Sequence, residues 1–576
     1  MNKYFRYILI FLIIPVALFS QTEIKKITLE DIFLNRTFAM TGFEQAKHMN
    51  DGEHYSKFDD DGNIVIVKYS DGEEKDIVIN AEYITENIEG MAMDYTFSKD
   101  EKKILITANI KPIYRRSYES DYYLYDIESK SISKVNTNGK VEAASLSPDG
   151  NLVSYVYENN LFIKILGTGE NIQITSDGKR NEIINGLPDW VYEEEFSLPR
   201  AYFWSGDSKK IAYIKFDESK VKEYTLQDYN KNNYPEVVKY KYPKAGEDNS
   251  KIGVFVYDLE TANTLQAVLG SDTDIYIPRI KWTNNPDLLS IVRLNRLQNK
   301  FDVLLWNLKD NSSNLIFTEE SKTYIDEFYD LTFLEDNSFL KLSQQSGYRH
   351  IYRYDINGKL INQITNGRWE VGGISAIDEK NQKIFYISDE PSVLDRAVYS
   401  IKFDGSNKKL ISNEHGYTIP NFSKGCKYYI SNYSDANSPY VISVNSADDG
   451  SIVRIREDNK DLKAKMEEYG FVKKEFFTFK TSNGTELNGY MIKPSKIKDG
   501  EKLPVLMEVY GGPGSQLVLN TYSGFYLNWY EYLCQQGYII ACVDNRGTGG
   551  RGADFETCTY MKVGEYELEE QIEASK

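Results

Sequence analysis

One short pattern recurs along this chain and decides what it can fold into. Each copy is an apolar strand start, a Ser/Asp/Gly-type turn, and a second strand of alternating apolar and aromatic residues. The first four turns are Asp60-Asp61-Gly62, Ser98-Lys99-Asp100, Ser147-Pro148-Asp149-Gly150 and Ser205-Gly206-Asp207. The last four are Asn284-Asn285-Pro286-Asp287, Glu335-Asp336-Asn337, Asp378-Glu379-Lys380 and Ser423-Lys424-Gly425. Most lie about 40–60 residues apart, the length of one four-stranded propeller blade. The pattern predicts an all-β eight-bladed propeller over roughly residues 40–465. An array of β-sandwiches is the competing arrangement, because sandwiches also carry regular short strands. The 45 tyrosines, within 14% aromatic residues overall, agree with a strand-rich body.

One gap between units, the fourth to the fifth, is longer than the others. It holds residues 222–250, rich in Tyr, Lys and Asn, and reads as an excursion from the propeller rim. After Met466 the pattern changes. Residues 476–480 and 487–493 alternate as strands about a Ser482-Asn483-Gly484 turn, and 504–510 form a near-continuous apolar strand of the kind buried in parallel sheets. A glycine loop, a helical stretch near 525–536 stopped by Gly537, and a second apolar strand at 538–544 follow. Residues 564–576 begin another helix. This order, with an Asp-x-Arg-Gly loop after the last strand, is the N-terminal part of an α/β-hydrolase domain.

The first 20 residues read as an export signal. Lys3 and Arg6 precede an apolar run at 7–19, and Ser20-Gln21 offers a cleavage point. The expected division is a signal peptide at 1–20, the propeller with its lead-in segment at 21–465, and an incomplete hydrolase domain at 466–576. The mature chain is expected in the periplasm or outside the cell, soluble after cleavage; an uncleaved N-terminal membrane anchor is the alternative. A net charge of −18 argues against nucleic acid as a partner. Cys426, Cys534, Cys542 and Cys558 match no zinc spacing and imply no disulfide framework. No metal or organic cofactor is implied.

The run Asp189-Trp190-Val191-Tyr192-Glu193-Glu194-Glu195 sets three carboxylates in a row beside aromatic residues. They repel one another unless a cation compensates, and a free peptide N-terminus is such a cation, with three N–H donors for two carboxylates to share. Taken alone, the run also fits a solvated acidic face. In Val509-Tyr510-Gly511-Gly512-Pro513-Gly514 the glycines let backbone approach a reacting carbonyl, and Tyr510 can donate its phenolic hydroxyl to a developing oxyanion. A simple tight turn is the alternative there.

Several stretches together resemble the dipeptidyl peptidase IV family, serine exopeptidases of the prolyl oligopeptidase superfamily. They are residues 185–196 around Trp190-Val191-Tyr192-Glu193-Glu194-Glu195, the 508–513 loop, Asp544-Asn545-Arg546-Gly547-Thr548-Gly549-Gly550-Arg551-Gly552, and 566–574. The resemblance implies that Glu194 and Glu195 bind a substrate's N-terminal ammonium. Fixing that end at one depth places the second peptide bond at the nucleophile, which accounts for release of dipeptides. It also implies that Arg115, in Tyr114-Arg115-Arg116-Ser117-Tyr118, meets the first residue's carbonyl, that Arg349, in Gly347-Tyr348-Arg349-His350, lines the same subsite, and that Tyr510 serves the oxyanion hole. Residues 222–250 are similar to the family's dimerising extension, which implies a homodimer through that arm in the intact enzyme.

The sequence departs from the family in one respect. No Gly-x-Ser-x-Gly occurs in the 576 residues, and His48, His54, His350 and His415 all precede the hydrolase strands. An α/β-hydrolase triad runs Ser, Asp or Glu, then His, after those strands. The chain is therefore expected to be a fragment of an exported dipeptidyl aminopeptidase, truncated before the catalytic serine and itself inactive. The alternative is a catalytically inactive propeller protein that binds peptide N-termini.

Overall fold

The computed structural model describes residues 24–42, 45–326 and 329–576. The signal expected at 1–20 lies outside them. Each of the last seven turns joins the first two strands of its blade's four-stranded antiparallel unit, while Asp60-Asp61-Gly62 joins the second and third strands of blade one, and Ile183–Asn185 adds a fifth strand to blade four. The first blade runs from Lys47–His48 to Glu74–Ile79 and the eighth from Tyr417–Phe422 to Ile452–Glu457. Blades two and three share one continuous sheet, because Tyr118–Asp126 also pairs with Val141–Leu146, opposing Glu119 to Glu142.

The alternation that predicted the strands also builds the core. Ile104, Ile106, Val153, Val156, Ile211 and Ile214 on second strands are fully buried. Clusters then form between sheets, where one blade's inward residues meet the next blade's. Tyr192, Phe216, Ile291, Trp306, Phe339 and Tyr354 belong to one such cluster spanning blades four to six. The ring closes between blades eight and one: Ile430, Ile442 and Val444 pack on Tyr55, Val65 and Tyr69. Arg454 adds hydrogen bonds to Tyr69 O at 2.9 Å and the Tyr55 hydroxyl at 3.2 Å.

The excursion is a hairpin, Glu223–Asp228 against Glu236–Lys241, inserted between Lys210–Asp217 and Lys251–Asp258 of blade four. The hydrolase segment is a four-stranded sheet in the spatial order Lys474–Lys480, Glu486–Ile492, Ile539–Asp544, Val505–Glu508. The last two are parallel, and the helix Phe525–Gln535 connects them. One expectation is corrected here. The apolar strand near 504–510 is half open: Val505 is 55% and Leu506 40% exposed, because Val505–Glu508 is the sheet edge among the described residues.

The segment before the first blade packs on the hydrolase side. Ile27, Ile32 and Phe38 share a core with Tyr490, Leu527, Tyr530 and Ile540, and Ile27 N donates to Gln535 Oε1 at 2.7 Å. All four cysteines are free thiols. No helix among the described residues is long and apolar enough to cross a membrane.

Candidate peptide-end clamp and hydrolase loop

The acidic run forms a short helix, Trp190–Glu195. Asp189 starts it as N-cap, accepting from Tyr192 N at 2.9 Å, while its other oxygen accepts from Ser250 Oγ at 2.6 Å. Asp189 is buried, and burial raises its carboxyl above the ordinary value. Tyr192 points into the core, where its hydroxyl accepts from Ile277 N at 2.8 Å. The helix is thus fixed at its first turn and along its inner face.

Successive helical side chains are about 100° apart, so three adjacent glutamates cannot share one direction. Glu193 points inward; Oε1 accepts from Arg116 N at 2.6 Å and Ser117 N at 2.9 Å. Glu194 meets Arg115 with both oxygens: Nε donates at 2.9 Å and Nη2 at 2.7 Å. This two-point geometry fixes both planes relative to each other. Glu195 keeps an exposed edge, and its carboxyl is pushed up by partial burial and by the Glu194 charge beside it. A bound cation would relieve that repulsion.

Arg115 sits at the tip between Lys103–Pro112 and Tyr118–Asp126, a turn closed by Ile113 N to Ser117 O at 2.9 Å. Next to it, Arg116 Nη2 donates to Ser197 Oγ at 2.9 Å. The arm packs against the same assembly: the Tyr242 ring lies 4.6 Å from Trp190 and the Tyr240 ring 6.2 Å from Tyr114. Two cavities of about 560 and 880 Å³ adjoin the clamp, and Ser117 and Glu142 line both. The Glu142 carboxyl is pushed up to about 7 by burial and by Glu119 and Glu193.

In the hydrolase segment, the loop after Val505–Glu508 interlocks with the loop after Ile539–Asp544. Asn545 Nδ2 donates to Gly511 O at 3.3 Å, and Gly514 N donates to Gly547 O at 2.8 Å. Tyr510 is 67% exposed and its ring lies over Gly512, where a Cβ would come within 2.6 Å of it. Asp544 accepts from Leu517 N and Val518 N at 3.0 and 2.9 Å. Glu570 of the helix Glu565–Ala574 is fully buried; it accepts from Arg546 N at 2.7 Å and pairs with the Arg546 guanidinium.

Of the residues singled out from sequence, Glu194, Glu195 and Arg115 come together. Tyr510 stands on the hydrolase loop. Arg349 meets other carboxylates, Asp326 at 3.3 Å and Glu370 at 3.5 Å, beside the point where blade six touches the hydrolase segment. There Gln344 donates to Glu556 at 2.8 Å and Ala553 N donates to Gly347 O at 2.9 Å. Sequence reasoning missed Glu193 as a backbone acceptor, as well as Asp189 and Ser250. Asp189, three residues ahead of Tyr192 in a short apolar-acidic run, carried an N-cap signal; the distant partners left none.

The hydrolase segment that follows the propeller is of the prolyl oligopeptidase type, since residues 525–576 match the model of the Prolyl oligopeptidase family. Residues 98–440 match the model described as Dipeptidyl peptidase IV (DPP IV) N-terminal region, and the chain belongs to that family. It is 37% identical to Porphyromonas gingivalis dipeptidyl peptidase 4, whose crystal structure superposes with a TM-score of 0.91 over 96% of this chain and 78% of that one. It is 32% identical over 528 residues to a probable dipeptidyl-aminopeptidase B of Botryotinia fuckeliana, covering 83% of this chain. It is 29% identical over 547 residues to dipeptidyl peptidase 4 of Trichophyton equinum, covering 91% of this chain and 69% of that protein. The chain spans 55% of the length of the Botryotinia protein.

Proposed function

We infer that this chain is the substrate-binding propeller and the opening of the catalytic unit of an exported serine-type dipeptidyl peptidase, which releases dipeptides from peptide N-termini through an acyl-enzyme. The observation that carries this reading is the two-point Arg115–Glu194 pair with the partly desolvated Glu195 beside it, on a helix held at its first turn. Glu194 and Glu195 accept from the substrate ammonium, and Arg115 donates to the first residue's carbonyl. Because the helix is fixed, the bound end has one depth, and only the second peptide bond reaches the nucleophile. Tyr510 donates to the oxyanion formed there. Arg349, ion-paired with Asp326 and Glu370, is carried as the second arginine lining the same subsite as Arg115.

The 576 residues contain no Gly-x-Ser-x-Gly, so this chain by itself is expected to hold peptide ends without hydrolysing them. The apolar run at 7–19 supports export to the periplasm or beyond. The exposed Leu226, Tyr234 and Val237 support the arm as a homodimer contact. Calorimetry with a free-amine tripeptide and its N-acetylated form tests the reading. Saturable binding of the first and loss of the second, with the same loss in Glu194→Gln, is expected; equal binding of both peptides would refute it.

A further inference from the structure

We propose that Glu193, the third carboxylate of the run, is a positioning residue that sets where Arg115 stands and so fixes the register of a bound peptide end. The proposal rests on the reading of Glu194 and Glu195 as the ammonium clamp. Glu193 is 2% exposed, against an exposed Glu195. Glu193 Oε1 takes the two backbone N–H groups that follow Arg115, at 2.6 and 2.9 Å. Those bonds cross from the helix of blade four to the strand tip of blade two, between partners 77 and 76 positions apart in the chain.

Other contacts of the tip are fewer. Its internal bonds run from Ile113 N to Ser117 O and from Tyr114 N to Ser117 Oγ, and outward it has the Arg116–Ser197 hydrogen bond at 2.9 Å and the Tyr114–Tyr240 ring contact at 6.2 Å. Arg115 is itself 69% exposed along its side chain, so its own packing does not place it. A tip pinned by the residue next to Glu194 keeps the guanidinium at hydrogen-bond distance from Glu194 and aimed along one line. Adjacent positions on one helix thus do two jobs: Glu193 holds the loop that carries Arg115, and Glu194 meets the arginine so delivered. The two N–H groups fix Oε1 of Glu193 against the loop, so its first role is one of position.

Position and charge separate cleanly by substitution. In Glu193→Gln the amide oxygen still accepts from both N–H groups while the charge is gone; in Glu193→Asp the charge stays but the oxygen is drawn back by one methylene. Calorimetry with a free-amine tripeptide should show Glu193→Gln within about threefold of the native chain and Glu193→Asp weaker by about tenfold or more. Hydrogen exchange should show the Arg116 and Ser117 amides protected in the first variant and open in the second. The reverse order of affinities, or two variants that both bind as the native chain does, would overturn the proposal. A native chain that takes free and N-acetylated peptide alike removes the clamp reading and the substrate meaning of Glu193 with it. The exchange result then shows separately whether the loop is pinned.

Discussion

Ser250 donates its hydroxyl to Asp189 at 2.6 Å, joining the end of the arm to the residue that caps the clamp helix. Both side chains are buried, and the rings of Trp190 and Tyr242 pack 4.6 Å apart alongside. The helix that carries Glu194 and Glu195 is therefore held partly by an insertion that, as a strand hairpin, extends from blade four. Ser250→Ala takes a donor from a buried carboxyl and should cost about 1–2 kcal/mol in urea unfolding. It should also weaken binding of a free-amine peptide, since the helix start loosens.

The arm's outward face gives a second expectation. Tyr234 is 86% and Val237 59% exposed on a hairpin whose two strands pair with no third strand among the described residues. If that face joins two copies, Tyr234→Lys with Val237→Lys should convert dimer to monomer in sedimentation velocity without changing the far-UV spectrum. A native chain that is already monomeric at high concentration would remove the arm's assigned role.

Buried carboxyls set a pH dependence of stability. Burial pushes Glu531 and Glu556 up to about 8 from an ordinary 4.5. In the folded chain they hold protons that the unfolded chain has released, so their contribution is full below about 4.5 and is lost as pH rises through about 8. Lys474, held down to about 8 by burial, acts in the opposite sense but only above that pH. Tm should fall between pH 5.5 and 8, and Glu531→Gln or Glu556→Gln should each flatten the fall. Identical profiles for the native chain and both variants would contradict this.

The contact between blade six and the hydrolase segment is close backbone packing. Gly552 has φ +85°, and a Cβ there would come 2.8 Å from Gly347 O. Gly552→Ala should therefore destabilise by about 1–3 kcal/mol and protect less of the 551–557 stretch in hydrogen exchange.

Much of this architecture was legible in the sequence, for a definite reason. Each blade repeats a polar turn between two apolar strands, so local periodicity alone located all eight, and Ser98-Lys99-Asp100 or Ser423-Lys424-Gly425 needed no distant information. The Asp189–Glu195 run stood out as three adjoining carboxylates, though taken alone it fits a solvated acidic face as well. What it did not disclose was the division of labour. Nothing local distinguishes Glu193 from Glu194; the difference is which of them faces the Arg116 and Ser117 amides, a matter of helix phase and blade placement. Arg349 failed to announce its partners for the same reason, since Asp326 and Glu370 are brought to it by blade packing. The openness of Val505–Glu508 depends on its being at the sheet edge, which composition does not record.

The clamp itself is tested most directly by a crystal structure of the chain soaked with a free-amine tripeptide. The terminal nitrogen should lie within hydrogen-bond distance of both Glu194 and Glu195, with the first carbonyl facing Arg115. A peptide whose nitrogen lies elsewhere, or no bound peptide at saturating concentration, would contradict it.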